Sequence, residues 1–244
     1  MTQTSVPVIF DLDGTLVDPA GGITGGIAAA LTEMGLPVPD QETLDSMVGP
    51  KLSHSLGSIA QVPEDLVDEA ITRYRTHYVA TGIAASRLYP GIHGLLEHFT
   101  ATGRPVAVAT QKPQRLARVV LEHHGIAGFF ETICGSPDDE STDALLPSGR
   151  SVPVGKVEIV GAALAGLGAE CAVMVGDRHQ DVAGALANGL DCVGVGWGFA
   201  PDGELEQAGA VAVVHSPDEL LKKIEELDVV RAAALSEVQN DGSL

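Results

Sequence analysis

The stretch Val8-Ile9-Phe10-Asp11-Leu12-Asp13-Gly14-Thr15 constrains the fold of this chain more than any other. Three apolar residues run directly into two carboxylates, a glycine and a hydroxyl. The apolar run is too short for a helix and fits a strand buried on both faces, as in a parallel sheet. Ligands of open α/β sheets bind outside the carboxyl ends of the strands, which puts Asp11 and Asp13 at a mouth and not in a core. Residues two apart in extended chain share a side, so both carboxylates can face one site. Gly14 permits a sharp change of chain direction. Two crowded carboxylates repel unless a cation lies between them, and magnesium, which prefers oxygen ligands, resolves the conflict. One aspartate is then available as nucleophile and the other as proton donor and acceptor. By itself, D-x-D-G reads equally well as a strand end followed by a turn.

The rest of the chain decides between the two. From about Leu16 to Ser86 the signals are helical, with no convincing strand. Ile23, Ile27 and Leu31 recur at helical spacing up to Gly35; Leu44, Met47 and Val48 suggest a second helix and Leu52, Leu56 and Ile59 a third. Glu64 to Val79 reads as a long helix with one apolar face. The sheet then resumes in alternating units, which imply parallel βαβ connections. Strands are expected at Val106–Ala109, Phe130–Cys134, Ala172–Val175, Cys192–Val195 and Val211–Val214. Helices are expected at Gly91–Thr102, Leu116–His124, Lys156–Leu167 and Val182–Asn188, with another opening at Ser216. Ser136 to Val154, rich in Asp, Ser, Pro and Gly, reads as a loop or mobile hairpin, and the tail from about Asp228 as an extra helix that frays. The fold class is therefore α/β: a Rossmann-like, doubly wound parallel sheet of residues 1–15 and 87–244, interrupted by an all-helical cap domain, 16–86. Segment 136–154 is a mobile element of the core and 228–244 a C-terminal extension.

Composition narrows the partners. A net charge of −19 argues against a nucleic-acid backbone or an anionic membrane. An anionic substrate then needs local positive charge from metal, lysine and backbone N–H groups. Aromatic residues make up only 4%, so stacking platforms are scarce, which disfavours nucleotides. Met1 to Pro7 lacks the features of a signal peptide, and no run approaches the roughly 18 apolar residues of a membrane span. Cys134, Cys171 and Cys192 form no metal-like pair and read as buried reduced thiols of a cytoplasmic protein.

Three buried strands end in polar residues: Asp11 and Asp13, Thr110, and Asp177. In a parallel sheet these ends share one edge. Thr110, followed by Gln111 and Lys112, offers a hydroxyl and backbone N–H groups that suit a phosphate oxygen. Lys156 opens a helix, where a cation opposes the helix dipole and neutralising a phosphate gives it a reason to be. Asp177 is the candidate metal ligand. Asp181, four residues on and on the same helical face if the helix starts early, is a candidate outer acceptor for Lys156 or a metal-bound water.

Asp11-Leu12-Asp13-Gly14-Thr15, Thr110, Lys156 and Gly176-Asp177 through Asp181 resemble, in order, the four motifs of the haloacid dehalogenase superfamily. The resemblance runs from about Val6 to Leu227 and is nearest the phosphoglycolate-phosphatase-like branch, whose helical C1-type cap follows the first motif. It implies a magnesium-dependent phosphatase of a small phosphorylated metabolite. Asp11 attacks phosphorus to form an aspartyl phosphate; Asp13 protonates the leaving alcohol and then deprotonates water. Asp11, the Asp13 carbonyl and Asp177 hold magnesium, with Thr110 and Lys156 stabilising the transition state. Gly14, Thr110, Gln111, Lys156 and Lys51 are the implied substrate contacts.

Two departures bear on the resemblance. Lys156 stands in Gly155-Lys156-Val157 and not in a K-P context, after an acidic loop from Asp138 to Asp143, which leaves Lys112 as a possible substitute. Lys51 lies where cap residues of this branch approach substrate, and a lysine so placed forms a Schiff base in phosphonoacetaldehyde hydrolases; Asp13 argues against that chemistry. The motifs are also compatible with a phosphomutase and with a non-catalytic metabolite-binding protein. A monomer or homodimer is expected.

Overall fold

A computed structural model describes residues 5–138, 143–145, 151–153 and 155–241, with the side chains of all but 143–145, 151–153 and 234–241. The chain enters through β1 (Val8–Phe10) and a short β2 (Val17–Asp18). A helical segment comes next: α1 (Gly22–Glu33), α2 (Gln41–Ser46), α3 (Leu52–His54), α4 (Glu64–His77) and α5 (Ile83–Ala85). Single π-helical turns, Ser55–Ile59 and Tyr78–Gly82, follow α3 and α4. The chain returns through β3 (Arg87–Leu88). It continues with α6 (Ile92–Ala101), β4 (Val106–Pro113), α7 (Gln114–His123), β5 (Thr132–Ser136), β6 (Asp143–Leu145), β7 (Ser151–Pro153) and α8 (Lys156–Gly166). The last elements are β8 (Val173–Gly176), α9 (His179–Ala187), β9 (Asp191–Val195), α10 (Glu204–Ala208), β10 (Ala212–Val214) and α11 (Pro217–Asp241).

Six strands form one parallel sheet in the order β10-β9-β8-β1-β4-β5. The chain winds outward from β1 in both directions, so β1 is the topological switch point, where open α/β sheets bind ligands. Alternation along the strands feeds two cores. Val8, Phe10, Val106, Val108, Val173 and Val175 pack with Ile92, Leu96, Phe99 and Leu220 on one face. Ile9, Ala107, Ala109, Met174 and Cys192 pack with Ile159, Val160, Val182 and Ala185 on the other. The small alanines let α8 lie close to the sheet. Val8, Ile9 and Phe10 are wholly buried, so truncating Phe10 to alanine would cost about 3–5 kcal/mol.

Several expectations are corrected. The stretch from Leu16 to Ser86 is not strandless, because Val17–Asp18 pairs antiparallel with Arg87–Leu88 and ties together the two connections to the helices. β4 runs on past Thr110 to Pro113, with an irregularity in its pairing to β5 between Ala109 and Pro113. The tail from Asp228 is not a separate helix; α11 passes straight through it. Asp228 accepts from Val6 N–H (3.0 Å) and from Arg104 Nη2 (2.6 Å), so this turn of α11 is anchored beneath β1. Helix α10 has no counterpart among the expected elements. Of the Ser136–Val154 stretch, β6 and β7 pair as antiparallel strands, while 139–142, 146–150 and 154 lie outside the described residues, as do 1–4 and 242–244. Cys192 is buried, but Cys134 is half-buried and Cys171 exposed. Among the described residues, no helix is long and apolar enough to cross a membrane.

Candidate active site

The sheet register sets the site. Phe10 pairs with Val108 on one side and Val175 on the other. Asp11 follows Phe10 directly, and Thr110 and Asp177 stand two residues beyond Val108 and Val175, so three strand ends deliver these side chains to one edge. All three are buried, as are Asp13, Lys112, Lys156 and Asp181.

Lys156, on the first turn of α8, is the hub. Its Nζ donates to Asp11 Oδ1 at 2.5 Å, to Asp181 Oδ1 at 2.6 Å and to the Ala109 carbonyl at 2.7 Å. Burial works against its charge, but Asp11 and Asp181 outweigh that and raise its pKa. Asp181 is reached otherwise than expected: α9 begins at His179, so Asp177 lies outside the helix. Asp181 reaches back and accepts from Arg178 N–H through Oδ2 at 3.0 Å. The two carboxylates converge by this reach and not through shared helical phase.

Asp11, Asp177 and Asp181 each offer an oxygen within 4.8 Å of the others. Burial, then the charges of Asp181 and Asp11, push the Asp177 carboxyl well above its usual range; hydrogen bonds from Phe199 N–H (2.8 Å) and Thr15 Oγ1 (3.1 Å) offset this only in part. Burial also lifts Asp181 to about 6, with Lys156 opposing and Asp11 adding. Three desolvated carboxylates, two of which share Lys156, form an all-oxygen donor set short of positive charge. Such a set suits a hard divalent cation.

Asp13 faces the cleft from the other side. Its Oδ2 pairs with Lys112 Nζ at 2.7 Å, while Oδ1 is buried with no hydrogen-bond partner among the described residues. Lys112 Nζ also sits 4.6 Å from the centre of the Tyr78 ring. Burial raises the Asp13 carboxyl further than Lys112 lowers it. The two lysines left open by the sequence thus divide the work: Lys156 serves Asp11, and Lys112 serves Asp13.

A pocket of about 60 Å³ opens over these groups. Asp11, Asp13, Thr110, Gln111 and Lys112 form its floor, and Ile23, Met47, Leu52, Tyr74 and Arg75 of the helical segment help to wall it. Lys51 is not among the lining residues, although Gly49, Pro50 and Leu52 around it are. The turn at Lys51, the N-cap of α3, leaves it outside the lining. The basic residue that the helices bring to the pocket is Arg75. Gly14 is no lining residue either; it takes φ +88°, and a Cβ there would come within 2.2 Å of Asp177 Oδ2. Its role is to let Asp177 approach. Gln111 lines the pocket and donates to the Gly49 carbonyl (3.2 Å). Two of the chain's three tyrosines, Tyr74 and Tyr78, lie at the site despite the low aromatic content. His179 stays at the surface with Glu204, and His124 meets Ser86 Oγ at 2.8 Å.

Two features were missed from sequence. The loop after β9 folds over the site: Phe199 N–H binds Asp177, Trp197 Nε1 donates to the Thr15 carbonyl (3.1 Å), and a Cβ on Gly198 would strike Asp177 at 2.3 Å. Its signal was the glycine alternation Gly194, Gly196, Gly198 running out of a buried strand. The second feature is Arg178, buried although it follows Asp177 directly.

The fold is that of a known class, and the chain belongs to it: residues 8–195 match the haloacid dehalogenase-like hydrolases. It is an enzyme of that superfamily, of the phosphatase type. The chain is 39% identical over 211 residues to the tyrosine-protein kinase PtkA of Mycobacterium tuberculosis (strain ATCC 25618 / H37Rv), covering 86% of this chain and 68% of that one. It is 36% identical over 200 residues to a 5'-nucleotidase of Pseudomonas aeruginosa, covering 81% and 86%. To a phosphoglycolate phosphatase of Rhodospirillum rubrum it is 31% identical over 222 residues, covering 84% and 85%. Among solved structures, a predicted phosphatase from Clostridium acetobutylicum superposes with a TM-score of 0.81 at 37% identity, covering 91% of this chain and 99% of that one.

Proposed function

We propose that this protein is a magnesium-dependent phosphomonoesterase that takes a small phosphorylated metabolite through a phospho-Asp11 intermediate. The observation that carries the reading is the convergence of Asp11, Asp13, Thr110, Lys156 and Asp177 on one edge of the sheet. An Asp11 carboxylate oxygen attacks phosphorus, and the bond from phosphorus to the ester oxygen breaks. Asp13, whose carboxyl burial raises, gives its proton to the departing alkoxide. Asp13 then takes a proton from the water that attacks phospho-Asp11, releasing phosphate and restoring both carboxyls. Thr110 supplies a donor at the reacting phosphoryl oxygens, and the Lys156 charge held beside Asp11 offsets the negative charge that develops there. Asp11, Asp177 and the Asp13 carbonyl would hold magnesium, with Asp181 close by; bound there, the ion offsets phosphoryl charge.

The small pocket, walled by apolar residues and Arg75, supports a compact ester, phosphoglycolate or a sugar phosphate among them. The likeness to a 5'-nucleotidase and the presence of Tyr74 keep nucleoside monophosphates in the panel. A second reading, transfer of the phosphoryl group to a tyrosine, is favoured only by the likeness to a protein named a tyrosine kinase. Phosphate release from a panel of esters, with and without magnesium, on wild type and Asp11→Asn, tests the proposal. Magnesium-dependent release that Asp11→Asn abolishes supports it. No release from any ester, with labelling of a tyrosine acceptor from ATP, favours transfer, and a requirement for a bisphosphate with little phosphate freed favours a mutase.

A further inference from the structure

Four successive carbonyls of the helical segment, those of Ser46, Met47, Val48 and Gly49, each accept a hydrogen bond from a side chain. Arg178 Nη1 donates to Val48 O at 2.6 Å and to Ser46 O at 3.4 Å. Gln111 Nε2 donates to Gly49 O at 3.2 Å, and Ser55 Oγ to Met47 O at 3.1 Å. Arg178 and Gln111 come from the sheet side of the cleft, each immediately after a site residue, Asp177 or Thr110. The Arg178 guanidinium is aimed by Glu204 Oε1, which accepts from Nε at 3.0 Å and from His179 N–H at 2.8 Å. Gly49 has φ +103°, and a Cβ there would approach Arg178 Cγ to 3.0 Å, so the close seating needs glycine. Met47, Gly49 and Pro50 form part of the wall facing Asp11 and Asp13.

Backbone carbonyls in a turn are ordinarily satisfied by water or by their own segment. Here a buried charged donor from across the cleft takes two of them, and charge-assisted hydrogen bonds are the stronger kind. We propose that Arg178 is a positioning residue that holds segment 46–50 down over the bound ester, so that this wall grips the leaving group. Arg178 touches no reacting atom and acts through the Val48 and Ser46 carbonyls, with Gln111 as the second clasp. The inference rests on reading the cleft as a phosphomonoester site.

The test compares Arg178→Gln, Arg178→Lys and Gly49→Ala with wild type. Loss of one charged hydrogen bond predicts about a tenfold rise in KM for the preferred ester in Arg178→Gln. We expect kcat to change less than about threefold, as for an interaction made equally in ground and transition states. The inhibition constant of inorganic phosphate, which needs only the sheet-edge groups, should stay within about twofold of wild type. Arg178→Lys restores part of the loss. Gly49→Ala leaves the Arg178–Glu204 pair intact and should reproduce the rise in KM. Amide hydrogen exchange over 46–52 should be faster in Arg178→Gln whether or not the protein turns over. A parallel rise in the phosphate inhibition constant would make Arg178 a support for Asp177 and overturn the proposal; so would unchanged exchange, or a normal KM in Gly49→Ala. If wild type hydrolyses no ester, the phosphatase reading fails, and the exchange data still decide whether the clasp exists.

Discussion

Replacing Asp181 by asparagine should make the metal-free protein progressively more stable than wild type as pH rises. Asp181 is 2% exposed, and burial lifts its carboxyl from the usual 3.8 to about 6. The folded protein therefore holds this proton more tightly than the unfolded chain does. Its contribution to stability is fully present below about pH 4 and is lost as pH climbs through about 6. A difference of roughly two pKa units at about 1.4 kcal/mol each puts the loss on the order of 3 kcal/mol. Asparagine cannot titrate, so the difference in unfolding free energy, variant minus wild type, should rise by that amount between about pH 4 and 7. The pair with Lys156 forms only with the ionised carboxylate, so its effect is already contained in the Asp181 pKa and adds no second slope. The difference is the quantity to measure, since the other 32 acidic residues, 33 less Asp181, are common to both proteins. Urea unfolding across a pH series, with chelator present, gives it directly. Millimolar magnesium should flatten the dependence, because a cation among Asp11, Asp177 and Asp181 replaces the proton. A difference that stays flat or falls with pH in chelator would refute the reasoning.

Other substitutions separate the roles of neighbouring groups. Asp11→Asn should reduce phosphate release by at least about a thousandfold, with no phosphoenzyme trapped by rapid quench. In single-turnover release of the alcohol, Asp13→Asn should slow alkyl phosphates by about 10²–10⁴ but p-nitrophenyl phosphate much less, since that leaving group needs no proton; equal losses in that step would deny Asp13 its role as acid. Gly14→Ala should cost about 1–3 kcal/mol in thermal unfolding from its φ alone. It should also weaken magnesium binding measured calorimetrically, because its Cβ would meet Asp177 Oδ2 at 2.2 Å. Asp228→Ala strands the buried Arg104 and should cost about 3 kcal/mol in urea unfolding while leaving KM unchanged.

The strand-end carboxylates were legible because two short-range rules coincide at them. A buried run such as Val8-Ile9-Phe10 must end where a parallel sheet ends, and polar residues directly after such runs must share an edge. The same rules located Thr110 and Asp177, and a lysine opening a helix marked Lys156. Long-range geometry was not legible. Whether Lys112 or Lys156 served Asp11 depended on β4 continuing past Thr110, an irregularity tied to its pairing with β5. Lys51 looked well placed by its position in the chain, yet the turn between α2 and α3 brings Gly49, Pro50 and Leu52 to the pocket lining and not Lys51. Asp228, read as part of a frayed tail, is an anchor because Arg104 and Val6 come from elements more than a hundred residues away.

By itself, then, the sequence determined the parallel α/β sheet, its helical insertion and which polar residues meet at the sheet edge, because strand length, period and end chemistry are local properties of the chain. Only the tertiary structure decided how charge is shared among those groups. Lys156 lies between Asp11 and Asp181, Lys112 is paired with Asp13 under Tyr78, and the Trp197–Phe199 loop closes on Asp177. Electrostatics among buried groups depend on distances of a few ångströms and on which atoms lose their water. Residues far apart in the chain set those distances only once the sheet, the helices above it and the loop after β9 are packed together.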